Sequence, residues 1–116
     1  MIQLQIDKNA FEMVLKNFRY MRDEDTNIDY YKPSVPSPDD LKTMTGKLET
    51  ISTATQEQII TIPMTDIEFG VFCSFLHCAS DATPDVYESE FLSDLYYSFS
   101  EWEDKDFNQK PDILRP

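Results

Sequence analysis

At 116 residues the chain has the length of one domain, and 41% hydrophobic with 13% aromatic residues excludes a wholly disordered acidic polymer. No apolar run approaches the roughly 20 residues of a membrane span, and the opening MIQLQIDKNAF lacks the parts of a secretory signal. A formal net charge of −12, from 22 acids against 10 lysines and arginines, disfavours direct binding to nucleic acid or to an anionic membrane. Two cysteines without an export signal point to a reducing compartment, and the expected location is cytoplasmic.

The first element is a strand. IQLQI alternates Ile2, Leu4 and Ile6 with Gln3 and Gln5, the period of a half-buried β-segment. Asp7 then caps a helix through about Asp23, in which Phe11, Val14, Leu15, Phe18 and Met21 recur on one face. Lys16, Arg19 and Arg22 lie off that stripe and make this the basic element of the chain.

The segment of about 23–38, with three prolines and no consistent period, reads as an irregular connection. Ser37-Pro38 has the form of a cap and first helical residue for a short turn to about Thr45, ended by Gly46. KLETIS and QEQIITI, rich in β-branched residues, read as a hairpin; one longer helix from Pro38 to Glu49 is the competing reading.

MTDIEF carries a reciprocal capping box, Thr65 with Glu68, and a hydrophobic staple, Met64 with Phe69. The helix that follows, to about Ala79, is apolar over more than half its circumference, through Ile67, Phe69, Val71, Phe72, Phe75, Leu76 and Cys78. It is expected to be the most buried element. Thr83 and Pro84 are placed to open a last helix, to about Asp104, and the tail of about 105–116 has no period and is expected to lie extended on the surface. IQLQIDKNAFEMVLKNF also lies over ITIPMTDIEFGVFCSFL at an offset of 58, sharing strand–cap–helix order. The expected fold is a single compact α+β domain: a small three-stranded antiparallel sheet, near 2–6, 47–52 and 57–62, packed against about three helices.

Charge is distributed unevenly. Between Lys47 and Lys105 lie 57 residues without a lysine or arginine, and they hold twelve of the acids. The rest of the chain is formally neutral, so this segment carries the whole excess. On the last helix, at about 100° per residue, Phe91, Leu92, Leu95, Tyr96, Phe99 and Trp102 fall on one arc. Glu90, Asp94, Tyr97, Glu101 and Asp104 fall opposite them. Glu90 and Asp94 have no base at i+4, where a solvated helix usually carries one.

Catalytic constellations are poor. His77, the single histidine, follows Cys73 by one turn, a spacing that a Cys–His dyad or half a metal site would use, but no further ligand or orienting group accompanies them. Cys73 and Cys78 are about 140° apart around a helix and cannot bridge within it. Two glycines leave no phosphate loop, and Asp23-Glu24-Asp25 and Asp39-Asp40 lack the spacing that wraps a cation. No catalytic residue, metal or cofactor is expected.

The expectation is therefore a non-enzymatic acidic protein that occludes a basic surface of a partner, most plausibly a nuclease or other nucleic-acid-handling protein. Anti-defence proteins of phages, DNA mimics and toxin immunity proteins use that strategy. Glu90, Asp94, Tyr97, Glu101, Glu103 and Asp104 would meet the partner, with Tyr30 and Tyr31 of the proline-bearing loop as further aromatic contacts. The alternative is a structural or adaptor module, able to dimerise, whose acidity serves only solubility. A small hydrolase using Cys73 and His77, or a bound metal, is a remote third reading.

Overall fold

The computed structural model describes residues 2–24, 36–103 and 113–114, in the order β1 (Ile2–Asp7), α1 (Lys8–Asp23), α2 (Pro38–Ala54), β2 (Ile59–Met64), α3 (Asp66–Ala82), α4 (Val86–Glu103) and β3 (Ile113–Leu114). The proline-bearing loop lies outside the described residues. Strand order is β2-β1-β3. β1 and β2 run antiparallel, from Ile2 opposite Met64 to Asp7 opposite Ile59, while β3 adds a two-residue parallel pairing at Gln3 and Leu4.

This corrects the expected fold. Four helices dominate, and antiparallel pairing is confined to two strands rather than three. The expected strand at 47–52 is the second half of α2. Its β-branched residues favour a strand locally, but Leu41, Met44 and Leu48 are buried and Ile51 packs against the same core. That spacing of three, four and three residues is one face of a helix. The competing long-helix reading of this region was nearer the truth, and the helix extends five residues beyond it. Ser37 caps α2 in a full capping box: its Oγ accepts from Asp40 N at 3.2 Å, and Asp40 Oδ2 accepts from Ser37 N at 3.0 Å, with Pro38 in the first turn. Part of the tail is likewise ordered as β3.

Elsewhere the expected elements form. Asp7 caps α1, its Oδ1 accepting from Asn9 N at 2.8 Å. Thr65 and Glu68 make the expected box on α3, with Thr65 Oγ1 accepting at 3.1 Å and Glu68 Oε1 at 2.9 Å. α3 is the central helix: Phe69, Phe72, Cys73, Phe75, Leu76 and Ala79 are buried. Its rings mesh with α1 and α4, Phe18 lying 5.8 Å from Phe72 and Phe99 lying 6.2 Å from Phe69. Ile67, expected on the apolar side of α3, is instead 81% exposed at its first turn. Ile2, Leu4, Ile6, Ile60, Ile62 and Met64 complete the core from the covered face of the sheet.

Candidate partner-binding face

α4 begins two residues later than Thr83 and Pro84 imply. Asp85 supplies the cap, its Oδ1 accepting from Tyr87 N at 2.9 Å and Glu88 N at 3.0 Å, while Thr83 ends α3. The short connection folds α4 back along α3. Near the turn the helices exchange hydrogen bonds: Ser89 Oγ donates to the Ser80 carbonyl at 2.7 Å, and Ser80 Oγ donates to the Ser89 carbonyl at 3.3 Å. Further from the turn, His77 of α3 lies against Tyr96 at 5.0 Å. Leu92, Leu95 and Phe99 are buried, and Phe91, Tyr96 and Trp102 pack half-buried against the core. These contacts fix the rotation of α4 about its axis.

That rotation sets Tyr87, Glu90, Asp94, Tyr97 and Glu101 in the solvent, at intervals of three, four, three and four residues. Tyr97 is 67% exposed, and its ring rests on Tyr96 at 5.4 Å, which limits its rotamers before any partner arrives. Glu90 and Asp94 are about 6 Å apart along the axis, and Glu101 lies about 10.5 Å beyond Asp94. Of the residues expected to meet a partner, the structure thus brings Glu90, Asp94, Tyr97 and Glu101 onto one stripe. The Glu103 side chain, Asp104, Tyr30 and Tyr31 lie outside the described residues. Tyr87, 83% exposed, belongs to the stripe and was not among the expected contacts; its signal is position, three residues before Glu90.

Three other acids of the base-free segment are paired with bases. Glu49 accepts from Arg19 Nε at 3.1 Å and from Arg22 Nη1 at 2.6 Å, and Lys47 Nζ lies 2.8 Å from Glu68 Oε2. Lys16 Nζ lies 2.9 Å from Glu88 Oε1. These contacts hold two carboxyls below the usual range: Glu49 through its hydrogen bonds from Arg22 and then Arg19, and Glu68 through Lys47 and then the Thr65 amide. Lys16, Arg19 and Arg22 of α1 and Lys47 of α2 are thus engaged by partly buried carboxylates. Among the described residues, Glu90, Asp94 and Glu101 have no ion pair. Exposed acids without an ion pair among the described residues thus line the outer side of the α3–α4 hairpin, where Asp81 is also exposed.

Of the candidate Cys–His pair, Cys73 is fully buried and His77 is exposed. Among the described residues no group of three or more His, Cys, Asp or Glu side chains is placed to hold a metal ion. No described helix is long and apolar enough to cross a membrane. An open cleft of about 170 Å³, between the first turn of α1 and the end of α2 and lined in part by Lys8, Glu12, Ser52 and Gln56, is small beside the several hundred Å³ of a typical ligand pocket. No protein-family model, curated protein or solved structure matches the chain.

Proposed function

We propose that the chain is a non-enzymatic acidic binding protein whose α4 face covers a basic surface of a partner protein, one that handles nucleic acid, such as a nuclease. The supporting observation is the division of the acids: Glu49, Glu68 and Glu88 are paired with bases of α1 and α2, whereas Glu90, Asp94 and Glu101 stand exposed on one helical stripe with no ion pair among the described residues. Like charges a turn apart cost helix stability. A cationic surface set against that stripe would relieve the repulsion and be steered toward it from a distance. Tyr97 and Tyr87, exposed beside the acids, would supply the aromatic contact area that usually dominates binding energy.

The test uses the whole chain immobilised and exposed to extract of its host, with elution by rising salt and then by competing duplex DNA or RNA. The expected ligand is a nucleic-acid-binding protein released by both. Salt-insensitive capture of a protein whose bound surface does not touch nucleic acid would overturn the reading.

A second reading rests on Ile67, Val86 and Tyr87, which are 81%, 69% and 83% exposed at the two ends of the α3–α4 hairpin. In it the chain is an adaptor that docks through apolar side chains. Charge reversal at Glu90, Asp94 and Glu101 separates the two: it abolishes binding in the first and spares it in the second.

A further inference from the structure

We propose that the free edge of β2 pairs with β2 of a second copy of this chain, joining the two small sheets into one. The edge can be read from a single bond. Lys8 N donates to the Gln58 carbonyl at 2.7 Å, which makes Lys8 and Gln58 a hydrogen-bonded pair continuing the β1–β2 register. Antiparallel pairs alternate, so Ile60, Ile62 and Met64 also turn their backbone groups toward β1. Ile59, Thr61 and Pro63 turn theirs the other way, and β2 is the last strand on that side. Pro63 fits this assignment, since its missing N–H falls where no bond to β1 is lost. Among the described residues nothing pairs with the N–H groups of Ile59 and Thr61, and both side chains are exposed.

Edges of this kind are normally blunted by lysine, by proline or by a covering segment. IITIPM contains no charged residue, and its proline guards only the far end. Charge also selects the occupant. On a chain of net charge −12 the α4 face repels another copy, whereas the β2 edge is neutral and lets one approach. A cationic peptide gains nothing from that neutrality. The edge is also complementary to itself. With Ile59 of one copy opposite Thr61 of the other, a two-fold axis passes through Ile60, and both N–H and both C=O groups of each edge are satisfied. Glu57 then faces Pro63 of the second copy rather than an acid. This two-fold keeps the helices of both copies on one side of the joined sheet and does not draw on α4, so the proposal stands apart from the reading of that face.

The test combines sedimentation equilibrium with hydrogen exchange on the intact chain, each over a dilution series. The expected result is a mass rising toward twice 13.6 kDa, with the Ile59 and Thr61 amides becoming protected as the dimer forms. Thr61→Pro deletes one outward N–H and no bond to β1. It is expected to shift the species to monomer with unchanged far-ultraviolet circular dichroism. A monomer at every concentration overturns the proposal. So does a dimer in which those amides stay unprotected, or a monomer in which they are protected because the chain covers its own edge. The exchange data decide the matter even where Thr61→Pro does not fold.

Discussion

Lys16 Nζ lies 2.9 Å from Glu88 Oε1, bridging α1 and α4 across 72 residues of sequence, and the Glu88 side chain is only 13% exposed. Two residues further along α4, Glu90 points into solvent without such a partner. The last helix therefore carries two kinds of acid. One kind is bound into the fold, and the other is left for the surroundings, at a small cost to the helix.

That cost and the proposed binding can be separated by one substitution. Glu90 and Asp94 are four residues apart, a repulsive arrangement on a helix. Asp94→Lys converts it into an acid followed by a base at i+4, the favourable orientation. Stability is expected to rise by about 0.5–1 kcal/mol in urea denaturation. Association with the basic partner is expected to slow by about tenfold or more at low salt. A variant that is both more stable and fully competent to bind would remove Asp94 from the interface.

Gly46 carries a second prediction and explains why α2 was obscure in the sequence. Glycine followed by KLETIS resembles a helix stop and a strand start. In the structure Gly46 sits mid-helix at a normal negative φ, and a Cβ added there meets nothing within 4 Å. Gly46→Ala is therefore expected to stabilise the protein by about 1 kcal/mol, read as a higher thermal midpoint. A decrease would mean that α2 must yield at this point.

The elements legible in the sequence were those whose burial repeats locally: the alternation of β1, the apolar stripes of α1 and α4, and the capping box of α3. α2 was not, because Leu41, Met44, Leu48 and Ile51 gain from a helix only with a core to pack against. The end of β2 was missed for a related reason. Pro63 interrupts the strand signal, yet its absent N–H faces the open edge and costs the ladder nothing. For the candidate face, the exposure of Glu90, Asp94, Tyr97 and Glu101 followed from helical geometry alone. Which acids are paired with a base did not, since Lys16 meets Glu88, and Arg22 meets Glu49, only after the chain has folded.

Thr45 is fully buried on α2, and its hydroxyl has no hydrogen-bond partner among the described residues. A buried hydroxyl without a partner costs about 1–3 kcal/mol in lost hydration. Valine has nearly the same shape and a similar helix preference, so Thr45→Val is expected to gain about 1 kcal/mol or more in denaturant unfolding. A loss of similar size would show that the hydroxyl is satisfied in solution.

Arg22 contributes to the acid response of the fold. Its Nε donates to Asp23 Oδ1 at 2.8 Å, and another of its nitrogens reaches Glu49 on α2. The guanidinium holds both carboxyls below their ordinary values of 3.8 and 4.5, chiefly through these hydrogen bonds, and its own affinity for the proton is raised in return. Because the folded carboxyls bind protons more weakly than the unfolded ones, their contribution is complete above the ordinary carboxylate range. It is lost as pH falls through the depressed folded values. Arg22→Gln removes the cause of the depression. The variant is expected to melt lower than the parent at neutral pH, and the two melting temperatures should converge as acid protonates Asp23 and Glu49. Both carboxylates are close to solvent, so the gap should also narrow with added salt. Melting curves by circular dichroism from neutral to acid pH, at low and high salt, check both trends. A gap that stays constant through the acid range would assign the role of Arg22 to packing of its aliphatic stem rather than to charge.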